Sequence, residues 1–400
     1  MRVVYRWLIL SVCMTLICSI AMGEVITEFN GPGYDQLSYA CTLPDGRMIF
    51  SGSRGEVGNY QESKARLLCL NPDKTVSWEY WDPAEGHASF GVVRCLKNGT
   101  LAVFYTNSPY QRLKDRKIRY FTTEGVPLEK TVDLYRADSM LRVVGPSCLE
   151  MTVIPGDAVV YYHYFLDWEG NELFRISSKE MISAFSSFES EDGVVILGQE
   201  PTWPANAKIM KVDLKGNIIW ETVMPTQLEV TPSATLEWCR QTSDGGYIAL
   251  YRETGTASTD GVPQRWEALV RFSQDGRLLW MNHDSFPQEE NPHCHGLTEY
   301  NGMYVMELST CSDYDDIRNP RLFCWFDADG HELGRTELLI RKEDLDVPAG
   351  ADKIENYGGS FVIMPDGLWS LRDISVAGDD LLPEMDSRDE VLIKVPEYGK

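Results

Sequence analysis

The stretch KIMKVDLKGNIIWETVMP, residues 208–225, contains an alternating apolar run, a Lys-Gly turn and a second apolar run with Trp220. This pattern predicts a β-hairpin. A single hairpin cannot bury its own apolar face, because an isolated two-stranded ribbon is marginally stable in water. The rest of the chain must therefore supply sheets against which this hairpin packs.

Similar stretches recur at 65–83, 117–134, 268–284 and 321–338. A different hairpin precedes each copy, and most of these hairpins carry Asp-Gly or Asn-Gly at the centre. Those dipeptides supply the positive backbone angles that two-residue hairpin turns need. Two hairpins in series make a four-stranded antiparallel unit. Seven inner turns are expected, at Asp45, Asn98, Gly156, Asp192, Asp244, Asn301 and Asp366.

Seven such units predict an all-β fold, a seven-bladed β-propeller of four-stranded antiparallel blades. A parallel sheet is excluded, because no amphipathic crossover helices separate the strands. The last unit lacks a fourth strand, whereas the stretch 24–30 stands alone and resembles an outer strand. We therefore expect the N-terminal strand to complete the last blade and close the ring, which removes both exposed edges.

Residues 1–23 have the pattern of an export signal, with Arg2 and Arg6 before a short apolar stretch and small residues before Glu24. The expected mature domain is 24–400, secreted or otherwise outside the cytoplasm, monomeric and not inserted in a membrane. The formal net charge is -23. Such a charge repels phosphate backbones, so nucleic-acid binding is not expected.

The motif of an apolar strand, an Asp-x-Gly turn and a second strand with Trp resembles the PQQ-like, or quinoprotein-dehydrogenase-like, propeller repeats. The resemblance covers nearly the whole chain after residue 23. Quinoprotein dehydrogenases of this fold typically carry a vicinal Cys-Cys disulfide above the cofactor, and this sequence has no adjacent cysteines. A quinone-dependent activity is therefore not expected, and no cofactor is predicted.

The phrases HASFGVVRCLKNGTLAVF, from His87, and HCHGLTEYNGMYVMEL, from His293, are similar to phrases of bacterial arylsulfate sulfotransferases. Those propellers use central histidines to carry a sulfuryl group. The resemblance carries over to His87, His293 and His295 alone. It makes a histidine-dependent transferase the alternative function, and an aryl sulfate would then need Arg54, Arg112, Arg252, Arg318 or Arg372 to face the channel.

Two features suggest metal ligands. His293 and His295 lie on one side of a predicted strand, where two imidazoles could hold a transition metal, although no third ligand is visible. The acidic runs at 312–319, 327–330 and 377–390 could bind calcium, but none has the spacing of a dedicated calcium loop.

The expected mature chain keeps eight cysteines, and five of them fall in or near predicted innermost strands: Cys41, Cys95, Cys148, Cys239 and Cys294. Both buried thiols and disulfides are compatible with this placement. Trp78, Trp220 and Trp280 occupy one place in three outer hairpins, which predicts a shared packing role between adjacent blades.

The main functional hypothesis is a binding module that recognises a peptide, a glycan or another ligand at the mouth of the central channel. Aromatic, adaptable loops on a rigid ring suit recognition. The candidate ligand-binding residues are Arg54, Tyr60, Tyr110, Trp203, Arg252, Trp266, Tyr314, Trp369 and Arg372.

Overall fold

The computed structural model describes residues 25–26, 34–56, 59–84, 86–107, 115–134, 139–153, 162–181, 184–202, 205–224, 226, 233–257, 263–283, 293–309, 321–338, 353–377 and 387–398. These residues form 28 strands arranged as seven antiparallel blades, and no helix occurs among them. The seven-bladed β-propeller predicted from the repeats is confirmed.

The strands follow one another blade by blade. The first strand, β1 (Val25–Ile26), belongs to the last blade. Blade one contains β2 (Tyr34–Thr42), β3 (Met48–Glu56), β4 (Asn59–Leu70) and β5 (Val76–Trp81). Blade two contains β6 (Ala88–Cys95), β7 (Leu101–Asn107), β8 (Asp115–Phe121) and β9 (Pro127–Asp133). Blade three contains β10 (Ser139–Val143), β11 (Leu149–Val153), β12 (Tyr162–Leu166) and β13 (Glu172–Ser177). Blade four contains β14 (Ala184–Ser190), β15 (Gly193–Gln199), β16 (Ala207–Val212) and β17 (Ile218–Met224).

Blade five contains β18 (Ser233–Gln241), β19 (Tyr247–Ala257), β20 (Pro263–Phe272) and β21 (Leu278–Asn282). Blade six contains β22 (His293–Tyr300), β23 (Met303–Ser309), β24 (Arg321–Phe326) and β25 (Glu332–Leu338). Blade seven contains β26 (Lys353–Met364), β27 (Gly367–Ala377) and β28 (Ser387–Lys394), and its outer strand is β1 (Val25–Ile26).

The N-terminal strand closes the ring as expected. Val25 pairs with Ile393 and Ile26 pairs with Leu392, so β1 lies antiparallel to β28 and supplies the fourth strand of blade seven. A parallel bridge between Tyr34 and Arg388 links the same blade to β2 of blade one. We call the contact between blades seven and one the closure seam.

The core lies mainly between adjacent blades. One buried cluster joins β15 and β16 of blade four to β18, β19 and β20 of blade five, and it includes Leu197, Ile209, Leu236 and Tyr251. Another joins blade seven to blade one through Trp369, Leu371, Phe50 and Leu68. Burying apolar area between sheets is the main favourable term in such a ring, because each blade alone exposes two apolar faces.

Two expectations about turns need correction. The inner turn of blade three was expected at Gly156, but it lies between Val143 and Leu149, where the Gly145 N–H donates to the Cys148 carbonyl at 3.1 Å. Most glycine turns are also longer than two residues. In the inner turn of blade one only Gly46 has a positive φ, and Leu43 pairs with Arg47 across the turn. A two-residue turn with two positive φ values occurs at Asn301–Gly302.

Candidate ligand-binding site

Each blade has two ends, because its strands alternate in direction. The tight inner and outer turns lie at one end. The connections between second and third strands, and between successive blades, lie at the other, which we call the joining end. Many residues of those connections fall outside the described ranges. The candidate site is therefore built from strand residues that border them.

A partly exposed aromatic pair lies at the joining end of blade five. Trp266 is near the start of β20, and His283 directly follows β21. Their rings are 4.5 Å apart between centroids and tilted by 30°. Tyr251 supports the indole from the core side in an edge-on contact at 5.6 Å. The pair presents flat apolar surface with polar edges, which suits stacking on a sugar ring or a peptide side chain.

Arg252 lies in the strand next to Trp266 but on the opposite face of blade five, and it is held by two carboxylates. Its Nε donates to Glu267 Oε1 at 2.5 Å, and its Nη1 donates to Glu237 Oε2 at 2.8 Å. Burial acts to lower the pKa of Arg252, but Glu267 and Glu237 outweigh it and raise the pKa. Because both carboxylates already neutralise this guanidinium, Arg252 is poorly suited to binding an anionic ligand.

Blade one carries a second aromatic and cationic group at the joining end. Trp81 is the last residue of β5, and the guanidinium carbons of Arg54 and Arg66 lie 4.9 and 5.1 Å from the centre of its ring. Arg66 is buried and pairs with Glu79 at 2.6 Å, whereas Arg54 and Trp81 are partly exposed. These cation–π contacts hold the indole at the surface in one orientation.

Two predicted contact residues lie in the interior instead. Trp369 is fully buried in the closure seam, where its Nε1 donates to Asp366 Oδ1 at 3.1 Å. Arg372 is also fully buried and forms an ion pair with Glu307 at 2.5 Å. Both residues belong to β27, the second strand of blade seven, whose two faces are covered by neighbouring blades. The expectation that they contact a ligand at the surface is therefore wrong.

The histidine candidates are only partly described. His87 is exposed, and its Nδ1 hydrogen-bonds with Ser63 Oγ at 2.8 Å, across the contact between blades two and one. His295 lies in β22 beside a bulge and is half-buried. The side chain of His293 lies outside the described residues, as do that of Tyr60 and all of Tyr110, Trp203 and Tyr314. A shared histidine site and a metal site at His293 and His295 stay predictions.

Asp327, Asp329 and His331 cluster at the outer turn of blade six. Asp327 Oδ1 accepts the backbone N–H groups of Asp329 and His331, at 3.0 and 2.8 Å, so this carboxylate serves the turn itself. This turn contains the 327–330 run, while 312–319 and most of 377–390 lie outside the described residues. Calcium binding stays a prediction.

The cysteines in or near the inner strands are thiols. Cys41, Cys95, Cys148, Cys239 and Cys294 are all free, as is Cys69 in β4, and Cys95 alone among these six is partly exposed. Burial raises the pKa of Cys69 to about 11 and of Cys148 to about 12. Because a thiol with a raised pKa is a poor nucleophile at neutral pH, these cysteines act as small apolar residues. Cys311 lies outside the described residues.

A cleft of about 480 Å³ opens at the opposite end, among the inner turns. Its walls come from the turns of blades one and two, including Pro44, Asp45, Arg47 and Lys97, with Pro146 of blade three at one side. The sequence predicted a ligand at the joining end and did not indicate this cleft. Among the described residues, no helix is long and apolar enough to cross a membrane.

No protein-family model matches the chain, and no curated protein matches it. Solved structures do. The polysaccharide lyase Uly1 aligns with a TM-score of 0.51 and 11% identity, over 92% of this chain and 93% of the lyase. The β-propeller domain of the Trilobed protease from Pyrococcus furiosus aligns with a TM-score of 0.49 and 11% identity, over 92% of this chain and 100% of that domain.

The WD40 domain of SCAP from fission yeast aligns with a TM-score of 0.39 and 7% identity, over 94% of this chain and 98% of that domain. These three proteins differ in function. Likeness at such identities shows the fold alone, and it places the chain in the β-propeller class.

Proposed function

We propose that the protein is an exported binding module that holds a peptide or a glycan against the joining end of the propeller. One observation carries this proposal: Trp266 and His283 stack at 4.5 Å while both remain partly exposed. Large aromatic rings that are fixed from behind lose little conformational entropy when a ligand covers them, and such residues dominate binding energies.

The surroundings of the pair support binding in a fixed geometry. Tyr251 is fully buried behind Trp266 and donates a short hydrogen bond to Glu253 on the same face of blade five. The aromatic surface therefore rests on a buried tyrosine whose hydroxyl is itself held in place. A preorganised base of this kind lowers the cost of binding, since few side chains must become ordered.

Binding is favoured over histidine-dependent transfer by what His87 contacts. Among the described residues, the ring of His87 hydrogen-bonds with Ser63 and with no second histidine. A transferase of the predicted kind needs several histidines within hydrogen-bond reach of one ligand position. No described contact supplies that arrangement.

The test is a binding screen of the chain from residue 24 against a glycan array and a peptide array, followed by calorimetry on the best ligand. Trp266→Ala should weaken the affinity by about thirtyfold, which is typical of an aromatic hot spot of about 2 kcal/mol. Tyr398→Ala removes an exposed aromatic residue of the C-terminal segment and serves as the control. Equal affinity of the Trp266→Ala variant and the parent would overturn the proposal, as would the absence of any ligand in both arrays.

A further inference from the structure

Two cysteines of neighbouring blades contact each other at the end of the ring that carries the inner turns. Cys41 lies in β2 of blade one, and Cys95 is the last residue of β6 in blade two. The Cys95 N–H donates to Cys41 Sγ at 3.2 Å. Since a backbone N and its Cα are about 1.46 Å apart, Cys41 Sγ lies within about 4.7 Å of the Cys95 Cα. The side chain of Cys41 therefore already reaches the residue that carries the second thiol.

The two thiols differ in access to solvent. Cys95 is partly exposed, and it lines the cleft of about 480 Å³ among the inner turns of blades one and two. Cys41 is buried, with 8% of its surface exposed. A small molecule in the cleft can therefore contact Cys95 first, while Cys41 is shielded from bulk solvent.

The hydrogen bond between the two residues also affects the reactivity of Cys41. Burial raises the pKa of the Cys41 thiol, but the N–H of Cys95 and the charge of Arg94 oppose this effect. Burial and the charge of Asp45 raise the pKa of Cys95. A thiolate is the form that attacks a disulfide. The Cys95 N–H thus stabilises the reactive form of Cys41 next to Cys95.

Cys69 is another thiol in the same buried cluster, but it is too far from Cys41 to bond with it. Ile49 of β3 pairs with Cys41 of β2 on one side and with Cys69 of β4 on the other. Cys41 and Cys69 are therefore two strand spacings apart, about 9.5 Å. A disulfide usually joins Cα atoms about 4.4 to 6.8 Å apart. Cys95 is the better partner for Cys41.

We propose that Cys41 and Cys95 form a redox-active pair, which a small-molecule disulfide converts into a disulfide bond between blades one and two. The Cys95 thiolate attacks the reagent, forms a mixed disulfide and releases one reagent thiol. Cys41 then loses its proton and attacks Cys95 Sγ, and the second reagent thiol leaves. The two protein thiols lose two electrons and two protons in total, and the reagent disulfide gains them.

The bond would restrain both the unfolded chain and the cleft. It closes a long loop that contains most of blade one, and closing a long loop removes much entropy from the unfolded chain. It also joins the two innermost strands beside the cleft. Oxidation should therefore raise the melting temperature, and reduction should reverse the rise. The pair lies at the opposite end from Trp266 and His283, so this proposal does not depend on the ligand proposed there.

The experiment is peptide mapping of the purified protein after incubation with oxidised glutathione. Remaining thiols are alkylated, the protein is digested without reductant, and the peptides are identified by mass spectrometry. We expect a linked pair of peptides that contain Cys41 and Cys95, and a rise in melting temperature of several degrees. Dithiothreitol should abolish both the link and the rise.

Two variants separate the steps of the exchange. Cys95→Ser should give no link and no rise in melting temperature, and Cys41→Ser should stop at a mixed disulfide of Cys95 with glutathione. Cys239→Ser is the matched control, because Cys239 is a buried thiol in the innermost strand of blade five, and this variant should form the link like the parent.

Three results would overturn the proposal. In the parent, Cys41 and Cys95 could both stay open to alkylation after oxidation, Cys95 could carry glutathione without forming a link, or either cysteine could link to a third one. If Cys41→Ser fails to fold, Cys95→Ser still tests the pair, since position 95 is partly exposed and tolerates a small polar residue.

Discussion

The joint between blades four and five differs from the closure seam at one turn position. In the ordinary joint, the outer turn of blade five presents Gly276, with φ of 80°, to the indole of Trp220 in blade four. A Cβ at position 276 would clash with the indole ring. Thr222 of blade four also donates its hydroxyl to the Gly276 carbonyl at 2.7 Å. Glycine is therefore required at position 276 both by the positive φ angle and by the close contact with the Trp220 indole.

The same relation recurs around the ring. Gly125 faces Trp78, Gly330 faces Trp280, and Gly216 faces Phe174, in each case from the next blade onto the preceding one. The predicted packing role of Trp78, Trp220 and Trp280 between blades is confirmed. The hairpin of residues 208–225 in blade four thus contacts blade three through its turn glycine Gly216 and blade five through Trp220.

The closure seam replaces the glycine with a lysine. Lys74 has φ of 71° at the equivalent turn position of blade one, where its N–H donates to the Asn71 carbonyl. Its ammonium group pairs with Asp366 at 2.8 Å and lies 4.0 Å from the centre of the Trp369 ring, both in blade seven. The outer strand of blade seven comes from the N-terminus, and its described part, Val25–Ile26, has no aromatic residue. At this turn position the seam uses an ion pair where the other joint has a glycine against an indole.

From this comparison we expect the largest loss of stability when the indole of Trp220 is removed from the joint between blades four and five. Trp220→Ala should lower the free energy of unfolding by roughly 3 to 5 kcal/mol, the usual range for truncating a packed Trp. Urea unfolding followed by fluorescence and circular dichroism measures the change. Ile219→Ala, the exposed neighbour on the other face of β17, is the control and should cost about 1 kcal/mol or less. An equal cost for the two variants would contradict the packing role.

Adding a methyl group to the turn should have the next largest effect. Gly276→Ala combines a left-handed backbone, about 1 to 2 kcal/mol, with a clash against Trp220 of similar size, so roughly 2 to 4 kcal/mol is expected. Gly99→Ala is the control, since Gly99 has φ of 78° and no atom within 4 Å of the added carbon. It should show the backbone cost alone.

A double-mutant cycle sharpens this prediction. In the Trp220→Ala background the clash is gone, so Gly276→Ala should cost no more than Gly99→Ala does in the parent. Strict additivity of Trp220→Ala and Gly276→Ala would mean that the two residues do not contact each other.

The regular part of the fold could be predicted from the sequence because the repeat is local. Asp-Gly and Asn-Gly turns between alternating strands indicate hairpins directly, and the solitary strand near residue 24 indicates closure. The turn of blade three could not be placed, because Gly145 and Pro146 form it without either dipeptide, and the sequence pattern indicated Gly156 instead. Lys74 gave no signal either, since a lysine in a turn normally indicates only solvent exposure.

The candidate site was less predictable from the sequence, because its composition depends on which strands pack against each other in the fold. Trp266 was predicted, but His283 was not, since a lone histidine after a strand has no distinguishing pattern. Trp369 and Arg372 were misplaced because exposure of a strand residue depends on the neighbouring blade.

A smaller effect is expected at the seam. Lys74→Gln removes the ion pair with Asp366 and the contact with the Trp369 ring, and it should cost about 1 kcal/mol. The control is Lys130→Gln, which removes the same two kinds of contact, a pair with Glu169 and a contact with the Tyr120 ring, from a more exposed lysine and should cost less than about 0.5 kcal/mol. If Lys74 does not stabilise the closure seam, the free energy of unfolding will change by the same amount in both variants.

The cost of Lys74→Gln should depend on pH. Partial burial acts to raise the pKa of Asp366, but the hydrogen bonds from Lys74 and Trp369 and the charges of Lys74 and Lys394 outweigh it, so the pKa is lowered. A lowered folded pKa stabilises the protein above the unfolded value of about 3.9, and this stabilisation is lost as pH falls through the folded pKa. The difference between parent and Lys74→Gln should therefore shrink below about pH 4. A difference that stays constant down to pH 2 would exclude Asp366 as the partner.

We expect the smallest effect when Lys74 is replaced by glycine, the residue found at this turn position in the other joints. Lys74→Gly loses the ion pair, but it also relieves the left-handed backbone, a gain of about 1 kcal/mol over any residue with a Cβ. The two contributions nearly cancel, so Lys74→Gly should lie within about 0.5 kcal/mol of the parent and above Lys74→Gln in stability. If Lys74→Gly is instead the less stable of the two variants, relief of the backbone at position 74 is too small to offset the flexibility of glycine. The presence of lysine in place of glycine at position 74 would then not depend on the contact with blade seven alone.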